Sequence, residues 1–259
     1  MPVIPFEKYQ GTGNDFIMID NRDQIFDPED KDLISSLCHR RFGIGSDGLI
    51  LIREHESYDF EMIYFNPDGS QSLCGNGSRC AVMFSYSLGL IRQSTTFFTI
   101  EGPLRAEIRD QTVHLSMPDV QKVTQFGDDF FLDTGSPHYV RFVPEADKVD
   151  VFYTGKEIRY SQPFQPDGTN VNFVQKTGNG EIYVRTYERG VEEETLSCGT
   201  GVTAAALVFG LRENLKQVDI RTRGGNLKVG FESNGEVGYA SIFLIGPAEK
   251  VFSGQISID

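Results

Sequence analysis

Apolar and polar positions alternate or cluster over short distances along much of the chain. DFIMID (15–20), GLILIR (48–53), FEMIYF (60–65), FFTIEG (97–102) and TVHLSM (112–117) are rich in β-branched and aromatic residues and are bounded by turn residues. That pattern predicts strands. YVRFV (139–143), VNFVQ (171–175), EIYVRTYE (181–188), VDIRT (218–222) and ASIFLIG (240–246) read the same way. PEDKDLISSLCHRRFG (28–43) has helical spacing instead. Pro28 near its first turn and Gly43 after its end predict one amphipathic helix that carries Cys38 and His39.

Two longer apolar runs break this rhythm. Residues 79–91 and 202–211 hold almost no charge, and neither has a continuous polar face. A helix that is apolar all round is a buried one. Both runs follow the same element, Cys-Gly-x-Gly, in SLCGNGSRC (72–80) and SCGTGV (197–202). The repeat comes about half a chain later, so the pattern predicts two similar halves, each with strands wrapped about one central helix. The boundary falls in SMPDVQKV (116–123), where no Gly/Ser-rich linker marks it. The closing EKVFSGQISID (249–259) is expected to return to the first half as a strand. The domains are then 1–117, closed by 248–259, and 118–247.

Composition narrows the class. Hydrophobic residues make up 39% and charged residues 24% of the 259 residues, a globular rather than a disordered balance. The formal net charge of −13 argues against a nucleic-acid partner, though not against a local cationic pocket for a small anion. The start, MPVIPFEKYQ, is not a secretory signal, and no apolar run reaches the ~18 residues of a membrane helix. A cytoplasmic setting and no membrane partner are expected. There the four cysteines stay reduced and do not form a disulfide framework.

The chemistry lies in the repeated cysteine. If each buried helix begins just after Cys74 or Cys198, its unpaired N–H groups and positive dipole end favour the thiolate. The glycines let a ligand approach the backbone, and the same N–H groups can bind a carboxylate beside the sulfur. Cys38 and Cys80 sit inside apolar helical patterns and read as core residues. No CxxC pair exists and the four histidines are scattered, so no metal site is expected. GTGND (11–15) and GIGSDG (43–48) lack the strand-to-helix context of a nucleotide loop.

Six stretches together carry a resemblance. KYQGTGNDF (8–16), RRFGIGSDGLI (40–50), FNPDGSQSLCGNGSRC (65–80), GSPHYV (135–140), TNVNF (169–173) and TYERGVEEETLSCGTG (186–201) occur in an order and spacing that resemble diaminopimelate epimerase over essentially the whole chain. The resemblance implies two pseudo-symmetric α/β domains of the α+β type, each a curved, mostly antiparallel sheet around a central helix, with the site in the cleft between them. It implies a cofactor-free enzyme that interconverts LL- and meso-2,6-diaminopimelate, a small-molecule substrate of bacterial lysine and peptidoglycan-precursor synthesis. A homodimer is left open.

Carried over residue by residue, Cys74 and Cys198 are the acid–base pair. The peptide N–H groups at Gly75–Asn76 and Gly199–Thr200 hold the reacting carboxylate, and Asn14 and Glu188 the reacting ammonium. Asn66, Ser136, Asn170 and Arg189 fall among the substrate-binding positions, the distal end being fixed by Asn66, Asn170 and Arg189. His138 and Glu188 match positions that tune the thiols. There are three departures from the family pattern. Gly48 stands where many members have Gln, and Ser136 where many have Asn. The stretch from Glu188 to Cys198 is one residue longer, which leaves open where Glu192, Glu193 and Glu194 point. Proline and hydroxyproline racemases, phenazine-type isomerases, a thiol–disulfide oxidoreductase and a non-catalytic amino-acid binder are the competing readings.

Overall fold

The computed structural model describes residues 3–235 and 238–257. It divides into two units, Met1–Leu115 with Pro247–Asp259, and Ser116–Gly246.

The first unit opens on a hairpin of β1 (Val3–Gly11) and β2 (Asn14–Asp20). Its two-residue turn, Thr12-Gly13, has positive φ at both positions (51° and 83°), the twist that suits a tight hairpin. GTGND thus forms a strand-to-strand turn and not the strand-to-helix loop of a nucleotide site. Helix α1 (Lys31–Cys38) crosses over to β3 (Gly48–Arg53), which pairs parallel with β2. β4 (Glu61–Phe65) lies antiparallel to β3 and leads into α2 (Gly75–Ser87). β5 (Ser94–Thr99) is parallel to β4, and β6 (Gly102–Arg109) and β7 (Thr112–Ser116) follow as antiparallel neighbours.

The second unit repeats this plan. β8 (Thr124–Phe126) and β9 (Asp129–Asp133) form a hairpin, and β10 (Pro137–Phe142) lies antiparallel to β9. Helix α3 (Val151–Arg159) precedes β11 (Asn170–Gly178), which is parallel to β10. β12 (Glu181–Glu188) is antiparallel to β11 and carries a short partner, β13 (Glu193–Thr195). Helix α4 (Gly199–Glu213) leads to β14 (Gln217–Thr222), parallel to β12. β15 (Gly225–Asn234) and β16 (Gly238–Gly246) close the series. The chain then returns to the first unit as β17 (Glu249–Ser257), antiparallel to β1.

Strand by strand, β17-β1-β2-β3-β4-β5-β6-β7 and β8-β9-β10-β11-β12-β14-β15-β16 alternate parallel and antiparallel pairings in the same sequence. The expected closing strand ends at Ser257, and Ile258 and Asp259 lie outside the described residues. α2 and α4 are the central helices. From Val202 to Gly210 every residue of α4 is buried, and its apolar side chains join one cluster with Val140, Val184, Val218 and Leu244. A helix with no wet side is stabilised by packing rather than by amphipathic pattern.

Two predicted elements differ. The expected helix over 28–43 is only α1, capped by the Asp30 carboxylate on the Leu33 N–H. It stops at Cys38 because the chain doubles back there. Gly43 packs so close that a Cβ would lie 2.1 Å from the Ser36 carbonyl oxygen. The expected strand over 97–102 is split, since the chain turns after Thr99 and Gly102 takes a φ of 105°.

Candidate active site

Cys74 ends an extended segment (φ −129°, ψ 114°) and caps α2, its sulfur accepting the Gly77 N–H at 3.4 Å. Its thiol donates to Asn14 Oδ1 at 3.5 Å, and Asn76 Nδ2 donates to the same oxygen at 3.3 Å. Asn14 Nδ2 donates in turn to Asp47 Oδ2 at 2.7 Å. Asp47 and Asp15 share Arg40, and Asp15 also pairs with Lys8 at 2.7 Å. Burial disfavours the Asp15 carboxylate, but bonds from Arg40 and Lys8 outweigh it and hold the group at about 2. The N–H groups of Gly75 and Asn76 precede the first intrahelical bond, Ser78 N–H to Cys74 C=O at 2.7 Å. Asn66 sits in the turn after β4, donating to the Ser70 and Ser72 hydroxyls at 3.0 and 3.2 Å.

Cys198 holds the equivalent place before α4 (φ −112°, ψ 114°), and the first bond runs from Val202 N–H to Cys198 C=O at 2.9 Å. Its sulfur lies 3.5 Å from Thr200 Oγ1, which lies 3.3 Å from Ser136 Oγ. Ser136 Oγ is 3.0 Å from His138 Nε2. Burial, and then the charge of Arg189, push the His138 imidazole down to about 3, so it is neutral at ordinary pH. Asn170 joins two other site positions: its Oδ1 accepts the Arg189 N–H at 2.8 Å, and its Nδ2 donates to Ser136 Oγ at 3.3 Å. Glu188 accepts from Thr195 Oγ1 at 2.8 Å.

The structure therefore gathers Asn14, Asn76 and Cys74 in one unit, and Ser136, His138, Asn170, Thr200 and Cys198 in the other. Cys38 and Cys80 are buried, and burial raises both thiols' pKa values. Sequence reasoning passed over Asn172, two residues on from Asn170 along the same face of β11, and Arg79 on α2. Arg79 is fully buried. It donates to Asn76 Oδ1 at 3.1 Å and Thr12 Oγ1 at 3.3 Å, and among the described residues it has no carboxylate partner. A lone charge in an apolar helical run was the available signal. Among the described residues there is no cluster of three metal-capable side chains, and no helix is long and apolar enough to cross a membrane.

Two of the three departures have defined surroundings. A Cβ at Gly48 would lie 2.4 Å from Tyr64 Cε2 and 2.6 Å from the Phe65 carbonyl oxygen, so the Tyr64 ring occupies the space a longer side chain needs. In the lengthened stretch, Glu193 is exposed and Glu194 binds Arg185 and Arg223. Glu192 turns back, at a φ of 62°, to Arg159, Tyr160, Tyr187 and the Gly190 N–H. Burial opposes its charge, but these donors, Arg159 foremost, hold it at about 2 instead of 4.5.

A depressed carboxylate pKa contributes stability above its unfolded value and loses it as pH falls through the folded one. The Glu192 contribution is thus expected to fade between pH 4.5 and about 2. Urea midpoints measured across that window should fall less steeply for Glu192→Gln than for the parent, and equal slopes would exclude a stabilising role.

The same fold occurs in a PhzF-family phenazine biosynthesis protein from Bacillus anthracis (TM-score 0.79, 14% identity, covering all of both chains). It occurs also in a hydroxyproline epimerase from Agrobacterium vitis (TM-score 0.70, 17% identity, covering 100% of this chain and 93% of that one). The chain thus has the fold of PhzF and proline racemase-type proteins, with a cysteine at the head of each central helix. More narrowly, it belongs to the diaminopimelate epimerase family, whose model matches residues 6–123 and 130–251. The diaminopimelate epimerase of Flavobacterium psychrophilum is 48% identical over 96% of this chain and 98% of its own length. That of Aquifex aeolicus is 41% identical over 97% of each.

Proposed function

We propose that this chain epimerises 2,6-diaminopimelate between its LL and meso forms, with Cys74 and Cys198 as the two acid–base groups. The observation that carries the cysteine assignment is their equivalent placement, each capping the buried helix that follows the fourth strand of its repeat after the edge strand, β4 or β12. The reacting C–H is weakly acidic and adjoins a carboxylate. Negative charge builds on that carboxylate as the proton leaves, and helix N-terminal N–H groups at Gly75–Asn76 and Gly199–Thr200 stabilise it. Asn14 and Glu188 keep the substrate ammonium bound and charged, which further acidifies the C–H.

Inversion needs a base on one face and an acid on the other, so one sulfur starts as thiolate and the other as thiol, and they exchange roles each turnover. Interacting thiols titrate as a unit rather than singly. Arg189 grips the distal carboxylate in a bidentate fashion, with Asn66 and Asn170 as amide partners and Ser136 beside them. A cytoplasmic enzyme of lysine and peptidoglycan-precursor synthesis, assembled as a homodimer, accords with this reading.

The test is proton exchange. In deuterium oxide, LL-diaminopimelate with the purified chain and no added cofactor should yield meso product carrying deuterium at the inverted carbon. Inversion without solvent deuterium, or none at all, would refute the mechanism.

A further inference from the structure

The hydrogen bonds behind Cys198 have a direction, and backbone groups fix it. Asn172 Nδ2 lies 3.0 Å from the Tyr139 carbonyl oxygen, which only accepts, while Asn172 Oδ1 accepts from Thr186 Oγ1 at 2.9 Å. The remaining Nδ2 proton meets His138 Nδ1 at 3.1 Å. That nitrogen is therefore an acceptor, and the proton of the neutral ring is on Nε2, which donates to Ser136 Oγ. Asn170 is fixed in the same way. The Arg189 N–H, which only donates, holds its Oδ1, and its Nδ2 donates to the Pro137 carbonyl oxygen at 3.0 Å and to Ser136 Oγ.

Ser136 Oγ thus accepts twice, and its own proton is left for Thr200 Oγ1. The Thr200 proton then points at the Cys198 sulfur. We propose that Asn172, Ser136 and Thr200 extend the His138 position into a one-way hydrogen-bond chain ending on Cys198, and that these three are positioning residues which favour the thiolate form of that cysteine. A hydrogen bond donated to the charged form of a group stabilises that form. The Cys74 half is built differently, since there the thiol is itself placed to donate to Asn14 Oδ1. Of the charged groups, Arg189 acts on His138, and Glu188 ends β12, the strand beside β11. We take Cys198 here as one of the acid–base pair, but thiolate reactivity reads the chain without turnover.

The test is site-resolved alkylation with iodoacetamide at one near-neutral pH, followed by peptide mass spectrometry. Losing a hydrogen bond to a charged acceptor should slow labelling of Cys198 about tenfold in Thr200→Val and, one link further back, about threefold in Ser136→Ala. Thr200→Ser keeps the hydroxyl and should match the parent, and the Cys74 rate should stay constant throughout. An unchanged or faster rate at Cys198 in Thr200→Val overturns the proposal, as does slowing in Thr200→Val with none in a folded Ser136→Ala. Labelling of the fully buried Cys80 reports unfolding. If Ser136→Ala unfolds, Thr200→Val against Thr200→Ser decides alone. If the two variants slow labelling as expected but the parent does not exchange the diaminopimelate α-proton, the chain stands and only the proposed function sinks.

Discussion

Replacing either Cys74 or Cys198 with alanine is expected to abolish epimerisation, lowering the rate by at least the ~10²–10⁴-fold of a lost acid–base group. The more telling result lies in exchange without inversion. Each variant keeps one sulfur and so can remove a proton from one face only. It must return a proton to that same face. In deuterium oxide each variant should therefore wash deuterium into one stereoisomer without converting it, and the two variants should choose opposite isomers. Cys38→Ser and Cys80→Ser, at buried positions, should alter stability but not this pattern. Either alanine variant turning over near the parent rate would refute the two-sulfur mechanism.

A second large effect is expected at Gly201. Its ideal Cβ would lie 2.4 Å from Asn172 Oδ1 and 3.3 Å from the Cys198 sulfur. Asn172 cannot yield easily, because Thr186, Tyr139 and His138 all bind its amide. Gly201→Ala should cost about 1–3 kcal/mol of stability through overpacking. It should also lower activity about 10²-fold, since displacement of a reacting group by an ångström is enough for that. At Gly77, the matching glycine in α2's first turn, the tightest contact of a Cβ is the Ile50 Cδ1 methyl at 3.0 Å, with Cys74 Cβ and Phe16 Cε1 at an ordinary 3.4 Å. That methyl can rotate away, so Gly77→Ala should be milder. Thermal melts and initial rates for the two variants test the contrast, and equal effects would show that Asn172 moves freely.

Both central helices were readable because burial on all sides leaves a plain mark, an apolar run with no polar face. Strands such as β3 and β12 were readable to the residue, being dense in β-branched and aromatic side chains between turns. Where tertiary contact sets the local structure, the pattern was silent. β1 contains Pro5 and two charged residues, yet it is a long strand because it is paired on both sides. α3 has Gly155 at its centre, a residue that argues against a helix. It is there because the Tyr187 side chain packs 2.4 Å from where a Cβ would be.

In the site, the cysteines and their glycines announced themselves by repetition. Asn172 and Arg79 did not, since their importance lies in which buried polar atoms they meet. The ambiguity over Glu192, Glu193 and Glu194 was likewise beyond pattern. Three adjacent glutamates are equivalent in sequence and are distinguished only by the arginines and tyrosines that the fold brings to two of them.

The return of β17 to β1 bears on the order in which a newly made chain can fold. In the second unit the edge strand β8 is adjacent in sequence to its partner β9, so that unit can assemble as soon as Ser116–Gly246 has emerged from the ribosome. The first unit waits. Its edge partner pairs Val3 with Ser257 and sets Phe252 edge-on against Phe6, so the strand is synthesised after the whole second unit. Until then β1 presents an unpaired strand edge, a template for pairing with a neighbouring nascent chain. A chain interrupted shortly before Glu249 would carry a finished Cys198 half beside a first unit that still lacks its border strand.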